Sequence, residues 1–420
     1  MAWRHCDGFD VNDTQGMGIK YLPQFTATGV PAISSQYGFT TAGNPGPAGS
    51  GPNGQSVYIR GDYEFTRILD AQPTWFVGFD FARYNEGIVT DTQGGDFYRF
   101  STAAGSVLKM SFSLDGTGRI TVRTGSLCST PNTVLATSLN SFTLFQFGFL
   151  ELVMTFGATI GYEIYYNDTL VPKQGGGNMV DSNLSLGSSA LPDRLTHLRT
   201  QEPGGSFTGI AFDNYYICDA QSDGTIFNQR LGPLRITTLS PASDATVQWT
   251  RNAGSSNFVA VDDIPNVAAS APDGNITMLT PNAVSALALF GLAKSPCFGL
   301  NLGVALNLCA RPISGSPTIR MVSRGPDGVV QLGLSTVVNP GTIQNQAPAV
   351  AGFHTYQAYA PLNSATGQPW NDAQIDGLAW GAQCDPSVTT LQLTQVYMEK
   401  LTSLRSSPFD CGQASYSFGK

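Results

Sequence analysis

The chain has 420 residues, only 12% of them charged, with 22 Lys and Arg against 30 Asp and Glu and a net charge of −8. There is no clustered basic stripe of the kind that counterion release from a nucleic-acid backbone requires. The 24 Phe and 15 Tyr exclude a disordered chain, which lacks the apolar surface to offset chain entropy.

Strand patterns begin early and recur. SVYIRGDYEFTRIL (56–69) alternates and turns at Gly61-Asp62, and TWFVGFDFARY (74–84) reads as a buried aromatic strand. SVLKMSFSLDGTGRITVRTG (106–125) predicts a hairpin at Asp115-Gly116. FLELVMTFG and YEIYYNDTLV (149–171) predict a further pair, the second with its own Asn167-Asp168 turn. The Gly-, Pro- and Ser-rich segments 41–54 and 174–190 read as loops. A strand over 210–219 closes this series.

A second series opens with LRITTLSP (234–241), ATVQWT (245–250) and NFVAVDD (257–263). TPNAVSALALFGL (280–292) predicts a helix, with a Thr N-cap, Pro in the first turn and Gly291 near the end. Strand-like runs follow at 298–312, 317–325, 329–338 and 353–362, with 371–384 and 390–401 completing the series. The predicted fold is all-β: two jelly-roll-like β-sandwich domains in tandem, with one short helix in the second. The boundaries expected are 1–222, 223–401, and an extended tail over 402–420.

Candidate chemistry is sparse. In FDNYYICDAQSDG (212–224), Asp213, Asp219 and Asp223 could ligate Ca²⁺, but the D-x-D-x-D-G loop is missing. Asp at a strand end is a common turn former, so Asp219, Asp223 and Gly224 are assigned to the interdomain hinge. No cofactor is expected, Ca²⁺ being the one ion for which a case exists. Seven Cys without a C-x-x-C pair, and three His (His5, His197, His354), exclude a structural zinc site and read as buried thiols and ordinary strand or loop residues.

Glycoside hydrolysis needs two carboxylates about 5–9 Å apart. Of the six Glu, only Glu64 has an acid two residues away, and that acid, Asp62, reads as half of a turn. Asp80 and Glu86 lie too far apart along an extended strand. Neither G-x-S-x-G nor a GxxxxGK[ST] phosphate loop occurs, and GSGPNG (49–54) precedes a strand pattern where a dinucleotide fingerprint needs a helix. Trp3, Trp75, Trp249, Trp370 and Trp380 could stack on sugars, with core packing the more frequent fate. No catalytic residue and no enzyme activity are expected. The opening MAWRHCDGFD has no apolar signal-peptide run, and FQFGFLELVMTFG (145–157) is too short to span a bilayer.

The order of CDGFD, QPTWFVGFDF, FDNYYICDAQSDGTIFNQRLGPLRITTLSP, ATVQWTRNAGSSNFVAVDDIP and ATGQPWNDAQIDGLAWGAQ resembles a family of tailed-bacteriophage virion proteins. Its members carry a concanavalin-like, laminin-G-type jelly roll followed by a second β-sandwich. The resemblance covers most of 1–400 and is best from Phe212 to Pro265. This chain departs from the family at Asn228-Gln229-Arg230, and in having Asp262-Asp263 in place of an Asp-Glu pair. The resemblance implies a non-enzymatic virion structural protein, a capsid decoration or part of the tail or baseplate, assembled in the bacterial host cytoplasm. Its partners would be other virion proteins and further copies of itself. The alternative it leaves open is a host-surface glycan-binding adhesin.

Overall fold

The computed structural model describes residues 3–8, 22–23, 57–59, 64–83, 94–102, 108–124, 133–143, 146–185, 190–201, 210–222, 225–262, 277–295, 299–313, 318–325, 330–337, 354–363, 365–384 and 391–405. The described residues are nearly all β and form four antiparallel sheets. The chain enters through β1 (Trp3–Asp7), β2 (Leu22–Pro23), β3 (Val57–Ile59), β4 (Glu64–Ile68) and β5 (Thr74–Arg83). A meander follows, of β6 (Gly95–Ser101), β7 (Leu108–Leu114), β8 (Ile120–Arg123) and β9 (Val134–Thr137). Next come β10 (Gly148–Thr155), β11 (Ile160–Tyr166), β12 (Thr169–Leu170), β13 (Val180–Leu184), β14 (Arg194–Gln201) and β15 (Ile210–Asp219).

These strands form an eight-stranded sheet, β1-β15-β5-β10-β11-β12 with β13 and β3 paired at its sides, and a seven-stranded sheet, β2-β4-β14-β6-β7-β8-β9. Along β5 the packing alternates. Trp75, Val77, Phe79 and Phe81 enter the space between the sheets, where they meet Tyr98, Phe100, Phe112 and Val122. The intervening positions of β5, Phe76, Gly78 and Asp80, fall on the outer face.

Of the three turn signals of this half, Gly61-Asp62 lies outside the described residues and the other two are present. Asp115 closes its hairpin by accepting from Thr117 N and Arg119 N, each at 2.9 Å. Asn167 and Asp168 both take positive φ (48° and 65°), as a two-residue hairpin turn requires.

The second half runs through β16 (Leu234–Leu239), β17 (Pro241–Val247), β18 (Trp249–Arg251), β19 (Leu279–Pro281), β20 (Leu287–Leu292) and β21 (Leu300–Pro312). It ends with β22 (Thr318–Arg324), β23 (Val330–Val337), β24 (His354–Ala360), α1 (Asp372–Gly377), β25 (Ala379–Cys384) and β26 (Leu391–Ser403). A six-stranded sheet, β18-β19-β26-β21-β24 with β16 on β26, faces a five-stranded one, β17-β20-β25-β22-β23. Between them lie Trp249, Phe290, Val304, Leu306, Leu308, Trp380, Val396 and Met398.

Four expectations need correction here: 174–190, read as a loop, contains β13 (Val180–Leu184), 371–384, read as strand-like, opens with α1, and the other two concern 280–292 and 257–263. The segment 280–292 is not a helix. Pro281 ends β19, Ser285 takes positive φ (57°) in a turn, and LALFGL becomes β20, hydrogen-bonded on both sides by β17 and β25. A short apolar run buried on both faces carries no period to distinguish the two states, and neighbouring strands decided it. The short helix stands instead at Asp372–Gly377, opened by a capping box in which the Asn371 side chain accepts from Gln374 N and Gln374 returns a bond to Asn371 N. In 257–263 the chain makes a 3₁₀ turn at Phe258–Ala260, where strand was expected.

A third core joins the two sandwiches. Trp3, Cys6, Phe149, Tyr216 and Cys218 from the eight-stranded sheet meet Leu234, Ile236, Leu302, Ala305 and Leu401 from the six-stranded sheet, with Phe227 and Leu231 between them. Trp3 lies flat on Phe227, with ring centroids 4.3 Å apart and planes 2° from parallel. Gly303 permits this approach, since a Cβ there would strike the Trp3 ring, and Gly78 leaves the room that the Tyr216 ring fills. The outer face of one sandwich is thus the inner wall of a shared layer.

Candidate functional site

Two places concentrate polar chemistry: the layer between the sandwiches, and a pocket at the rim of the first. At the layer, β15 bulges at Asp213 and Asn214, where the pairing with β5 shifts register and Asn214 takes positive φ (50°). The Asn214 amide donates to Asp80 Oδ2 (2.6 Å), while its carbonyl oxygen accepts from Ile236 N (2.7 Å). One bulge residue therefore ties the middle of the first sandwich to the first strand of the second. Burial pushes the Asp80 carboxyl up to about 7, against the Asn214 hydrogen bond and the charge of Arg235.

Asp219 ends β15 fully buried, ion-paired with Arg4 and accepting from Gln221 N (2.8 Å). Arg4 reaches on to Asp70 (2.7 Å), and Gln72 donates to the same Asp70 (2.6 Å). Asp223 and Gly224 lie outside the described residues. Asp213 and Asp219 thus have separate local roles, and among the described residues no three His, Cys, Asp or Glu side chains gather as a metal site would need.

Two glutamates that sequence reasoning passed over sit at the centre of the layer. Glu399 is fully buried on β26 and accepts from Gly8 N (3.0 Å), Asn307 Nδ2 (2.9 Å) and Gln357 Nε2 (3.1 Å), with Cys6 Sγ at 3.6 Å. Gln357 in turn lies 2.8 Å from His5 Nδ1 and donates to Cys6 O (2.9 Å). Glu151 on β10 accepts from Tyr216 Oη (2.7 Å) and Gly232 N (2.7 Å) and pairs with Arg230. Burial holds its carboxyl above the usual range even so. The Arg230 guanidinium lies 3.8 Å from the Tyr165 ring centroid and also pairs with Asp168 (2.6 Å), which Arg405 contacts at 2.8 Å. Donors for each carboxylate come from both sides of the layer, as a buried charge requires.

The other sequence candidates are placed as follows. All five Trp are buried, so none presents an open face for a sugar to stack on. His197 is packed in the first core among Phe79, Tyr98, Phe212 and Tyr215, with centroids 4.3–5.0 Å away, and burial lowers its pKa well below the ordinary value. Cys6, Cys218, Cys309 and Cys384 are buried. Asp62 and Glu86 lie outside the described residues, as does the side chain of Glu64.

The pocket opens where the loop 138–143 passes the β11–β12 hairpin, and encloses about 360 Å³. Phe142 and Tyr166 form its aromatic wall, edge to face at 4.7 Å and 89°. Asn140, Thr143, Gln146 and Thr169 ring it with amides and hydroxyls. Its walls are tied down: Phe142 N donates to Gly118 O (2.8 Å), Arg83 donates to Phe142 O (3.1 Å), and Leu139 N donates to Pro172 O (2.7 Å). Gly148 leaves room for the Tyr166 ring, which a Cβ would strike. No sequence motif marks this pocket, because its two walls are joined only by the closing of the sheet edges.

No family model matches the chain, and no curated protein matches it. Solved structures similar to it include a Trypanosoma rangeli sialidase (12% identity, TM-score 0.28), covering 42% of this chain and 26% of that one. An alginate lyase from a Chlorella virus aligns at 9% identity and TM-score 0.30, over 39% of this chain and 85% of its own. The CBM2 module of the evolved Dit of Lactobacillus casei BL23 phage J-1 aligns at 10% identity and TM-score 0.27, over 40% and 77%. The chain thus spans about a quarter of the sialidase's length. These are likenesses of fold. They correct one expectation, that the chain is no enzyme: the solved structures similar to it include a sialidase and alginate lyases.

Proposed function

We propose that this chain is a structural subunit of a tailed-bacteriophage particle, docking as a two-sandwich block onto neighbouring capsid or tail proteins and onto further copies of itself. The observation that carries the reading is the shared layer. An apolar core braced by Glu399 and Glu151 holds the second sandwich against the outer sheet of the first. Such a block transmits load and presents its edges and loops in a fixed relation, which repeated contact within an assembly needs. The resemblance of Phe212–Pro265 to phage virion proteins supports the same reading, and the segment that carries it, from β15 through β16, supplies much of the shared layer. On this reading the chain is assembled in the host cytoplasm and ends on the virion.

The test is electron microscopy of purified particles with labelled copies of the chain, together with its stoichiometry by quantitative mass spectrometry. The expected result is a fixed location and a copy number matching the local symmetry. Absence of the chain from washed particles would overturn the reading. A second reading, recognition of a host-surface glycan, is favoured by the aromatic, amide-ringed pocket at the rim of the first sandwich.

A further inference from the structure

We infer that the rim pocket is a binding site for an uncharged saccharide, taking one or two pyranose rings against Phe142 and Tyr166. The inference rests on the glycan reading, which it deepens by naming the ligand class and the site, and it is independent of the particle reading. Three features of the pocket argue for it.

The first is size. A cavity of about 360 Å³ lies at the lower end of the ~300–1,000 Å³ typical of small-molecule sites. It is too small for a folded partner and large enough for a sugar ring. The second is the division of its lining. A pyranose has apolar C–H faces and a rim of hydroxyls, and the pocket offers a matching pair of surfaces. Phe142 and Tyr166 provide the aromatic wall, while Asn140, Gln146, Thr143 and Thr169 provide donors and acceptors that are exposed to solvent. Amides that face both ways in hydrogen bonding suit vicinal hydroxyls better than a single anion.

The third is charge, which separates this ligand class from acidic sugars. None of the residues lining the pocket is ionised at neutral pH. Of the cations near its walls, two are engaged elsewhere, and Lys173 follows the lining residue Pro172 without itself lining the pocket. Arg83 lies behind the wall with its Nη1 on the carbonyls of Thr117 (3.4 Å) and Phe142 (3.1 Å). Arg230, over the Tyr165 ring, is held by Glu151 and Asp168. A uronate or sialate carboxylate would find no charged donor here and would be desolvated without compensation.

Pre-organisation adds to this. The wall loop is fixed by backbone bonds to Gly118 and Pro172, and Tyr166 is seated over Gly148, so little ordering cost falls on binding.

The experiment uses the full chain and saturation-transfer difference NMR, with affinities by titration calorimetry. The neutral probes are lactose, maltotriose, mannotriose and chitotriose; the acidic probes are 3′-sialyllactose and an alginate trisaccharide. At least one neutral probe is expected to bind, with transfer to its ring C–H protons and with no binding of the acidic probes. Asn140→Ala combined with Gln146→Ala, both at exposed positions, is expected to weaken that binding at least fivefold with an unchanged melting temperature. Gly148→Ala, which displaces Tyr166, should abolish it. Binding of the acidic probes that the double variant weakens would overturn the uncharged class while leaving the glycan reading standing. Neutral binding unaffected by the double variant would overturn the site. No binding by any probe would overturn both the inference and the glycan reading, and would leave the particle reading untouched.

Discussion

At the layer between the sandwiches, the amides of Asn307 and Gln357 are committed to the carboxylate of Glu399, whereas at the rim Asn140 and Gln146 stand in water around an aromatic wall. The residue types are similar and their fates differ because of what surrounds them. Where two sheet faces close on one another, each buried polar group needs a partner from the opposite side, and the polar cluster becomes part of the fold. Where two sheet edges meet at the surface, water serves the same groups, and their hydrogen bonds remain exchangeable for those of a ligand. The comparison separates residues that hold the block together from residues that can recognise something.

The sharpest way to break that distinction is at Glu399. Replacing it by Ala removes one acceptor shared by Gly8 N, Asn307 and Gln357, leaving buried donors from both sandwiches unmatched. Glu399→Ala is expected to cost about 3–5 kcal/mol. Calorimetry should show the single unfolding transition splitting into two as the sandwiches uncouple. A loss within about 0.5 kcal/mol, typical of an ordinary surface site, would place Glu399 outside the bracing of the layer.

Arg230→Ala tests the second brace. It leaves Glu151 buried with Tyr216 and Gly232 as donors but without its counter-ion, while Arg230 itself is partly exposed. The expected loss at neutral pH is about 2–3 kcal/mol, below that for a fully buried pair. The loss should shrink as the pH falls through the raised Glu151 pKa, because a neutral carboxyl needs no counter-ion. Urea titrations at neutral and mildly acid pH measure the difference.

Much of this fold was legible from alternation and turn chemistry. Ile210–Asp219, Leu234–Leu239 and Thr74–Arg83 stand where their apolar patterns put them, and Asn167-Asp168 turns as its residue types require. The exception at 280–292 is physical: an apolar run between two neighbouring strands shows neither period, and only the sheet around it decides its state. The site was far less legible. Glu399 meets Gly8 across 391 residues of chain, and Glu151 meets Gly232 across 81, so no local spacing betrays either contact. Neither Glu151 nor Glu399 has a second acid two residues away, so the spacing of paired carboxylates singles out neither. The rim pocket escaped for the same reason, its walls lying on separate edges that only the closed sandwich brings together.

The smallest expected effect is also the one whose sign is easiest to misread. Asp80 faces the layer beside Asn214, with Arg235 among the charges near it, and burial raises its carboxyl from the ordinary 3.8 to about 7. In the unfolded chain the carboxyl ionises near the lower value, so between the two the folded state holds a proton that the unfolded state has released. Stability from this group is therefore fully present below about 3.8 and is lost as the pH rises through about 7. Asp80→Asn keeps the carbonyl oxygen that accepts from Asn214 and cannot ionise. The wild type is expected to lose about 1–3 kcal/mol relative to this variant between pH 5 and pH 8, read from paired urea titrations. Parallel pH profiles would show that Asp80 is solvated in the folded chain, and that the layer at the β15 bulge is wetter than the one around Glu399.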